Sequence, residues 1–170
     1  MLQLATLCYI KHDGKTLMVH RNKKPNDMHA GKWNGLGGKF ETGETPEACA
    51  IREIEEESGL AVTNPRLRGL LTFPAFSDDV DWYAFVFTVE ITDEQFHSAL
   101  IDSPEGDLRW IDDADLFSLN LWEGDEIFMR WLERDAFFSA RFDYVDGRLT
   151  SHEVVFYPDV VEGSKLKVQS

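Results

Sequence analysis

The sequence predicts an α/β fold in which a mixed β-sheet packs against helices. Runs rich in β-branched, aromatic and aliphatic residues occupy both ends of the 170-residue chain, and two helical segments interrupt the series of strands. Strands that precede and follow helices favour a mixed sheet with helices packed on it. Because no repeat, low-complexity tract or linker divides the chain, we expect one domain over residues 1–160 and a frayed tail over residues 161–170.

The first forty residues predict a hairpin followed by a glycine-rich segment. Residues 2–10 and 16–20 are strand-like runs, and the turn signal around Gly14 joins them. Residues 33–40 contain three glycines, which suits an extended segment whose backbone approaches a ligand closely.

The sequence marks both ends of a helix, at Thr45 and at Gly59. Thr45 suits the N-cap, Pro46 suits the first helical position, and Gly59 stands where a left-handed C-terminal residue belongs. The remaining segments are predicted as strands at residues 68–73, 82–89, 108–111, 137–145 and 148–157, and as a second helix at residues 125–134.

The net charge argues against a protein that binds polymeric nucleic acid. The net charge is −14 and the pI is near 4.6, so the surface repels polyanions and we expect no polymeric nucleic-acid partner. A small anionic substrate remains compatible with this charge if a metal ion or local Lys and Arg residues neutralise it.

The two cysteines and the N-terminus bear on the compartment. Cys8 and Cys49 cannot build a disulfide framework and show no zinc-ligand spacing, so we expect them to pack as small apolar side chains. The first ten residues lack a basic flank and a small-residue cleavage site, and no run approaches the length of a membrane span. We therefore expect a cytoplasmic protein without a membrane partner.

The helix carries a face of carboxylates. Glu53, Glu56 and Glu57 are spaced i, i+3 and i+4, so they share one side of the helix, near its C-terminal end. Like charges repel there, and the helix dipole prefers cations at that end. A hard divalent cation reverses both effects, since Mg²⁺ and Mn²⁺ prefer clustered carboxylate oxygens. The alternative is a solvated acidic face.

The residues around this face decide between the two interpretations. Gly38, Glu44, the run Arg52-Glu53-Ile54, the pair Glu56-Glu57 and the pair Gly59-Leu60 follow one another at the spacing of the Nudix box. Seven fixed identities and both aliphatic positions match. On this 23-residue box the sequence is identified as a member of the Nudix family and resembles its MutT-type hydrolases.

The resemblance implies a fold, a cofactor and a reaction. It implies the Nudix fold, an α/β/α sandwich whose loop–helix–loop holds Mg²⁺, with Mn²⁺ as a substitute, and water attack at phosphorus. Arg52 is suited to hold carboxylate rotamers by reaching Glu56 and Glu44. The implied metal ligands are Glu53, Glu56, Glu57, the loop residue Glu105 and the backbone carbonyl of Gly37. Either Glu57 or a loop carboxylate activates the water, and the sequence leaves that choice open.

A basic cluster precedes the box. Five Lys and Arg residues lie within residues 21–39, where Asp27 is the only acid. Such a local cluster of positive charge in an acidic chain could neutralise a bound triphosphate. We expect Lys23 and Lys39 to contact substrate, and Lys24 and Lys32 to be solvated.

Residues outside the box indicate the base. The segment 33–39 resembles the same segment of enzymes that hydrolyse 8-oxo-dGTP and related oxidised purine nucleotides. The resemblance implies substrate contacts by Thr6, Asn34, Leu36, Gly37, Gly38, Lys39, Trp122 and Asp125. One departure is plain: the eukaryotic sanitising enzymes carry two adjacent carboxylates after a Trp-Pro pair, whereas this chain has Glu123-Gly124-Asp125-Glu126 after Trp122. Only Asp125 transfers from that pair.

Three functions follow from the sequence. The first is metal-dependent hydrolysis of an oxidised purine nucleoside triphosphate to monophosphate and pyrophosphate. The second keeps the fold and metal but acts on an ordinary (d)NTP, a dinucleoside polyphosphate, ADP-ribose or a capped RNA end. The third is a non-catalytic nucleotide-binding domain, against which the intact run of residues 52–57 argues. The sequence predicts neither the oligomeric state nor the number of metal ions.

Overall fold

The computed structural model describes residues 1–158 and the backbone of residues 168–169. Its strands are β1 Leu2–His12, β2 Lys15–His20, β3 Trp33–Asn34, β4 Arg66–Ser77, β5 Val80–Glu90, β6 Asp107–Asp112, β7 Phe137–Val145, β8 Arg148–Tyr157 and β9 Val168–Gln169. Its helices are α1 Pro46–Ser58, α2 Asp93–His97 and α3 Glu123–Phe128, with 3-10 turns at Asp113–Ser118 and Met129–Glu133.

The strands form one mixed sheet. Their order is β3-β2-β1-β5-β4-β7-β8-β9, and β6 also pairs with β2. The β1–β5 and β4–β7 pairs are parallel, whereas the two predicted hairpins, β1–β2 and β7–β8, are antiparallel. The predicted mixed sheet is confirmed, with the long strand β1 near its middle.

Both faces of the sheet are covered. Along β1, Cys8 and Ile10 belong to the apolar cluster that contains Ile54 of α1, whereas Tyr9 belongs to the cluster that contains Phe128 of α3. Successive side chains of a strand point to opposite faces, so α1 and α3 lie on opposite sides of the sheet. This arrangement confirms the α/β/α sandwich, and both cysteines are buried as expected.

Helix α1 has the predicted ends. The Thr45 hydroxyl accepts the Ala48 N–H at 3.1 Å, and Pro46 is the first helical residue. Gly59 closes the helix at φ +80°, and its N–H donates to the Glu55 carbonyl at 2.8 Å. Glycine tolerates this left-handed conformation better than any other residue.

The second predicted helix differs from the expectation. Helix α3 begins at Glu123 and the chain tightens into a 3-10 turn over Met129–Glu133. The apolar stripe still points inward, because Phe128, Trp131 and Leu132 are all buried. Helix α2 was not predicted, although Thr92 and Gln95 form a reciprocal capping box that the sequence contains.

The C-terminal end bears on the predicted tail. Residues 161–167 and 170 lie outside the described residues, while Val168–Gln169 pairs with Val154 and Val155 of β8. Those two residues are paired with the sheet, and the frayed tail over the rest of residues 161–170 stays a prediction. Within the described part of the chain, no helix has the length and apolar character needed to cross a bilayer.

The attachment of α1 to the sheet can be tested at Ile54, which is fully buried. We expect Ile54→Ala to lower the free energy of unfolding by about 2–5 kcal/mol, because it leaves a cavity between α1 and the sheet. Urea unfolding followed by tryptophan fluorescence measures the change. The exposed neighbour Glu55 supplies the control, and Glu55→Ala should shift stability by less than about 0.5 kcal/mol. Equal losses in the two variants would contradict the packing described here.

Candidate active site

One cavity of about 630 Å³ brings most of the predicted site residues together. Its lining combines carboxylates with basic and aromatic side chains and with the backbone of the glycine-rich segment. Four of these carboxylates are the predicted acidic metal ligands Glu53, Glu56, Glu57 and Glu105. Glu105 follows the α1 carboxylates by almost fifty residues in the sequence. Because β6 pairs with β2, the loop before β6 lies at the same site.

The glycine-rich segment lies against β1 and leaves no room for a Cβ at Gly35, Gly37 or Gly38. Gly37 has φ +135°, and a Cβ there would lie 2.1 Å from the Thr6 carbonyl oxygen. The Thr6 N–H donates to the Gly38 carbonyl at 2.9 Å. A Cβ on Gly38 would lie 2.6 Å from Cδ of Glu53, so the α1 carboxylate rests directly on this backbone.

Arg52 holds three carboxylates at once. Its Nε and Nη2 donate to the two oxygens of Glu44 at 2.6 and 3.0 Å, and its Nη1 donates to Glu53 at 2.8 Å and to Glu56 at 3.1 Å. These bonds to Arg52, with the Glu41 N–H, lower the pKa of Glu44 to about 2. The predicted contacts of Arg52 with Glu44 and Glu56 are both present, and they fix carboxylate positions before any ligand arrives.

Glu57 lies deepest among the α1 carboxylates. It is only 5% exposed, and it accepts a hydrogen bond from the Gly37 N–H. Burial, and then the charges of Glu53 and Glu105, raise its pKa to about 9. A buried carboxylate with two further carboxylates nearby is stabilised in its charged form by a hard divalent cation, so this donor set fits Mg²⁺ or Mn²⁺.

Glu105 is held by two cations of the preceding loop. Its carboxylate contacts Arg21 Nη2 at 3.1 Å and Lys24 Nζ at 2.5 Å, and its side chain is 18% exposed. Of the two lysines expected at the substrate, Lys39 lines the cavity and Lys23 does not. Lys24 lines the cavity, whereas Lys23 bonds to Asp102 and to the Ser103 carbonyl and does not line it.

Lys39 and Thr6 both line the cavity, in different ways. The Lys39 ammonium lies 5.3 Å from the ring centre of Trp82, at an exposed position. The buried Thr6 hydroxyl instead contacts the backbone of Gly38 and the sulfur of Cys49. These contacts give Thr6 a structural task in holding the glycine-rich segment against β1.

Leu36 is wrong as a substrate contact. It is fully buried and belongs to the apolar cluster of Ile54, and it does not line the cavity. Its backbone pairs with Cys8 in both directions, at 2.6 and 3.0 Å, so its side chain takes the α1 side of the sheet. Asn34 and Gly38, by contrast, do line the cavity.

Asn34 and Asp125 add polar groups to the cavity, and both are 7% exposed. Burial raises the pKa of Asp125 to about 7, against the charge of Lys32, which lowers it. Gly124 precedes Asp125, and its N–H donates to the Tyr144 hydroxyl at 2.7 Å. A Cβ on Gly124 would lie 2.6 Å from that hydroxyl. Tyr144 therefore occupies the space that a second carboxylate, next to Asp125 at position 124, would need.

Trp122 stands among aromatic residues that sequence reasoning missed. Its ring lies edge-on to His29, Phe76 and Tyr144, with centroids 5.6, 5.7 and 5.7 Å away. All four side chains line the cavity. No common spacing relates these four positions in the sequence, so the group becomes visible only in the folded structure.

Comparisons with known proteins agree with the geometry. Residues 1–132 match the family model described as the NUDIX domain. The chain is 33% identical over 127 residues to an uncharacterized Nudix hydrolase of Bacillus subtilis, with 73% of this chain and 75% of that protein covered. It is 31% identical over 123 residues to the oxidized purine nucleoside triphosphate hydrolase of Danio rerio, with 72% and 74% covered. The mutator MutT protein of Bacillus halodurans has a similar structure, with a TM-score of 0.75 at 29% identity and with 89% and 97% of the chains covered.

The chain therefore belongs to the Nudix family. It is a hydrolase of the MutT type, a class that acts on small nucleotide substrates and generally uses divalent metal ions. The family match covers α1, the glycine-rich segment and Glu105, which are the elements that line the carboxylate part of the cavity.

Glu57 predicts how the stability of the metal-free protein depends on pH. The folded protein keeps the Glu57 proton up to about pH 9, whereas the unfolded chain releases it near the ordinary value of 4.5. The contribution of Glu57 to the free energy of unfolding is therefore fully present below about pH 4.5. It decreases as the pH rises and is lost once the pH has passed about 9. Glu57→Gln, which has no proton to lose, should flatten the decline between about pH 6 and pH 8.5.

Chemical unfolding in a chelator, repeated across this pH range, measures that slope. Glu55→Gln is the matched control, because Glu55 is exposed on another face of α1, and it should keep the wild-type slope. If Glu57→Gln and wild type decline in parallel, the burial of Glu57 does not govern this dependence.

Proposed function

We propose that this Nudix hydrolase converts oxidised purine nucleoside triphosphates, such as 8-oxo-dGTP, to the monophosphate and pyrophosphate with Mg²⁺. One observation carries the proposal: a single cavity is lined both by the four carboxylates and by Asn34, Trp122 and Asp125. The similarity over 72% of this chain to the oxidized purine nucleoside triphosphate hydrolase of Danio rerio supports the same substrate class. The corresponding role is the removal of damaged nucleotides from the cytoplasmic pool before they enter DNA.

The carboxylates would hold the metal. We assign Glu53, Glu56, Glu57, Glu105 and the Gly37 carbonyl as its ligands, because all five residues line one cavity and offer oxygen donors. When bound, Mg²⁺ or Mn²⁺ screens phosphate charge and lowers the pKa of the attacking water. Arg52 would keep Glu53 and Glu56 in position and would not itself react.

Basic residues at the cavity would receive the phosphates. Arg21, Lys24 and Lys39 line it, and Arg21 and Lys24 already contact Glu105. Their charge opposes the net −14 of the chain at the place where a triphosphate has to bind. They therefore orient the polyphosphate toward the carboxylates and away from the rest of the acidic surface.

Asn34, Asp125 and Trp122 would recognise the base. Oxidation at C8 turns N7 of guanine from an acceptor into an N–H donor and adds a carbonyl oxygen. The amide of Asn34 offers a donor and an acceptor for that altered edge, and Asp125 accepts from N1–H and the exocyclic amine. The indole of Trp122 offers a stacking face worth roughly 1–3 kcal/mol per base.

An ordinary purine triphosphate is the second candidate. Gly124 supplies no carboxylate, and the Tyr144 hydroxyl fills the space of a side chain there. Base recognition through Asp125 alone constrains the purine less than recognition through two adjacent carboxylates. A comparison of oxidised with unmodified nucleotides separates the two candidates.

The metal assignment predicts the effect of Glu57→Gln. We expect kcat to fall by about 10³ or more, because the substitution removes a group that acts in the transition state. The same variant should lose most of the rise in thermal midpoint that Mg²⁺ produces in wild type, since the ion binds the folded protein and not the unfolded chain. Steady-state kinetics and calorimetry with and without Mg²⁺ measure both effects. Glu55→Gln should keep both properties, and equal loss in the two variants would place the catalytic face elsewhere on α1.

The base assignment predicts selectivity for 8-oxo-dGTP over dGTP. Asn34→Ala should lower kcat/KM for 8-oxo-dGTP much more than for dGTP, because a site that pairs with the N7–H rejects an analogue that lacks it. Trp122→Ala should raise KM for both nucleotides, because stacking does not depend on the oxidation. A panel assayed for pyrophosphate and for phosphate release gives these ratios. Equal efficiency of the wild-type enzyme on the two nucleotides would favour the second candidate.

A further inference from the structure

A hydrogen bond joins Trp122 to a loop histidine. The indole Nε1–H of Trp122 donates to Nδ1 of His29 at 2.8 Å, and the two rings meet edge-on at an interplanar angle of 83°. An indole nitrogen can only donate, so Nδ1 of His29 has to be the unprotonated acceptor. This bond fixes the neutral imidazole with its hydrogen on Nε2, and both side chains line the cavity.

The loop that carries His29 is anchored at the other side of the cavity. One carboxylate oxygen of Asp27 accepts a hydrogen bond from the backbone N–H of His29 at 3.0 Å, and the other accepts one from Arg21 Nε at 2.9 Å. Arg21 Nη2 continues to Glu105 at 3.1 Å. A continuous path of polar contacts therefore runs from Glu105 through Arg21 and Asp27 to His29 and Trp122.

We propose that His29 is the positioning residue for Trp122, and that it sets nucleotide affinity by holding the indole in its stacking orientation. The proposal rests on the proposed function in one respect, namely that Trp122 stacks on the substrate base. Lys32 alone would not fix the ring, because its ammonium lies 5.3 Å from the ring centre and is bonded to the Leu121 carbonyl. His29 instead bonds to the edge of the indole, which defines its rotation.

Protonation of His29 would remove this support. A hydrogen on Nδ1 would face the indole N–H, so two donors would oppose each other. Burial, and then the charge of Arg21, lower the pKa of His29, while Asp27 and Glu105 act in the opposite direction. The ammonium of Lys32, close to Trp122, also opposes a positive imidazole. The neutral form is therefore favoured at pH 7, and acid releases the indole.

Two substitutions at His29 separate positioning from mere packing. His29→Phe keeps the ring volume and removes the acceptor, whereas His29→Asn places an amide oxygen near the position of Nδ1. At pH 8 we expect His29→Phe to raise KM for 8-oxo-dGTP about tenfold, the usual effect of one lost hydrogen bond, with kcat within about twofold of wild type. His29→Asn should restore KM to within about threefold of wild type. Inorganic tripolyphosphate, which has no base, should inhibit all three proteins with the same constant.

A pH profile supplies a second readout. KM of wild type should rise as the pH falls below the His29 pKa, and the rise should be smaller in His29→Asn, which does not titrate. Asp125 titrates in both proteins, so its contribution cancels in the comparison. Identical profiles would overturn the proposal.

A double-mutant cycle with Trp122→Phe shows whether the effect passes through the indole. Trp122→Phe removes the donor, so adding His29→Phe to it should change KM by less than about twofold. A full tenfold effect in that background, or failure of His29→Asn to restore KM, would overturn the proposal. If wild type instead prefers an unmodified purine triphosphate, the proposed substrate is wrong, and the same cycle run with that nucleotide still decides the role of His29.

Discussion

The site depends on holding several carboxylates together against their mutual repulsion. Arg52 does most of this, because one guanidinium donates to Glu44 with two nitrogens and to Glu53 and Glu56 with the third. Bidentate, charge-assisted bonds of this kind fix orientation as well as charge. Lysine at this position could not replace the guanidinium, since a single ammonium has no planar fork. The geometry of α1 therefore matters less for its own stability than for the distances that it sets between these groups.

Strand β1 joins the two functional parts of the cavity. Its Thr6 backbone binds the glycine-rich segment that supports Glu53 and donates to Glu57, while Asn34 extends from the start of the same segment. A central strand buried on both faces is among the most rigid elements of a sheet fold, and functional groups on rigid supports keep their geometry well. The carboxylates and Asn34 are in this way held by one common element.

The sequence predicted the parts of this structure that follow local rules. The Thr45 and Gly59 caps and the contacts of Arg52 depend on spacing within one helix and its flanks, and a pattern of such residues carries that information. Leu36 was assigned wrongly because its side depends on pairing with Cys8, which the sequence does not display. His29 was missed for the same reason, since its partner Trp122 lies more than ninety residues away.

The buried acids show why substrate and metal would complete the fold. Burial raises the pKa of Glu57 to about 9 and of Asp125 to about 7, so both carboxylates carry an unfavourable charge when they ionise without a partner. A cation at Glu57 and a pair of donors at Asp125 would each supply the missing partner. Groups of this kind lower the stability of the empty protein and raise its affinity for the ligand by the same interaction. The two acids therefore lie where a ligand would supply the missing partner. They line the same cavity as Arg52, which bonds to Glu53 and Glu56, and as His29, which bonds to Trp122.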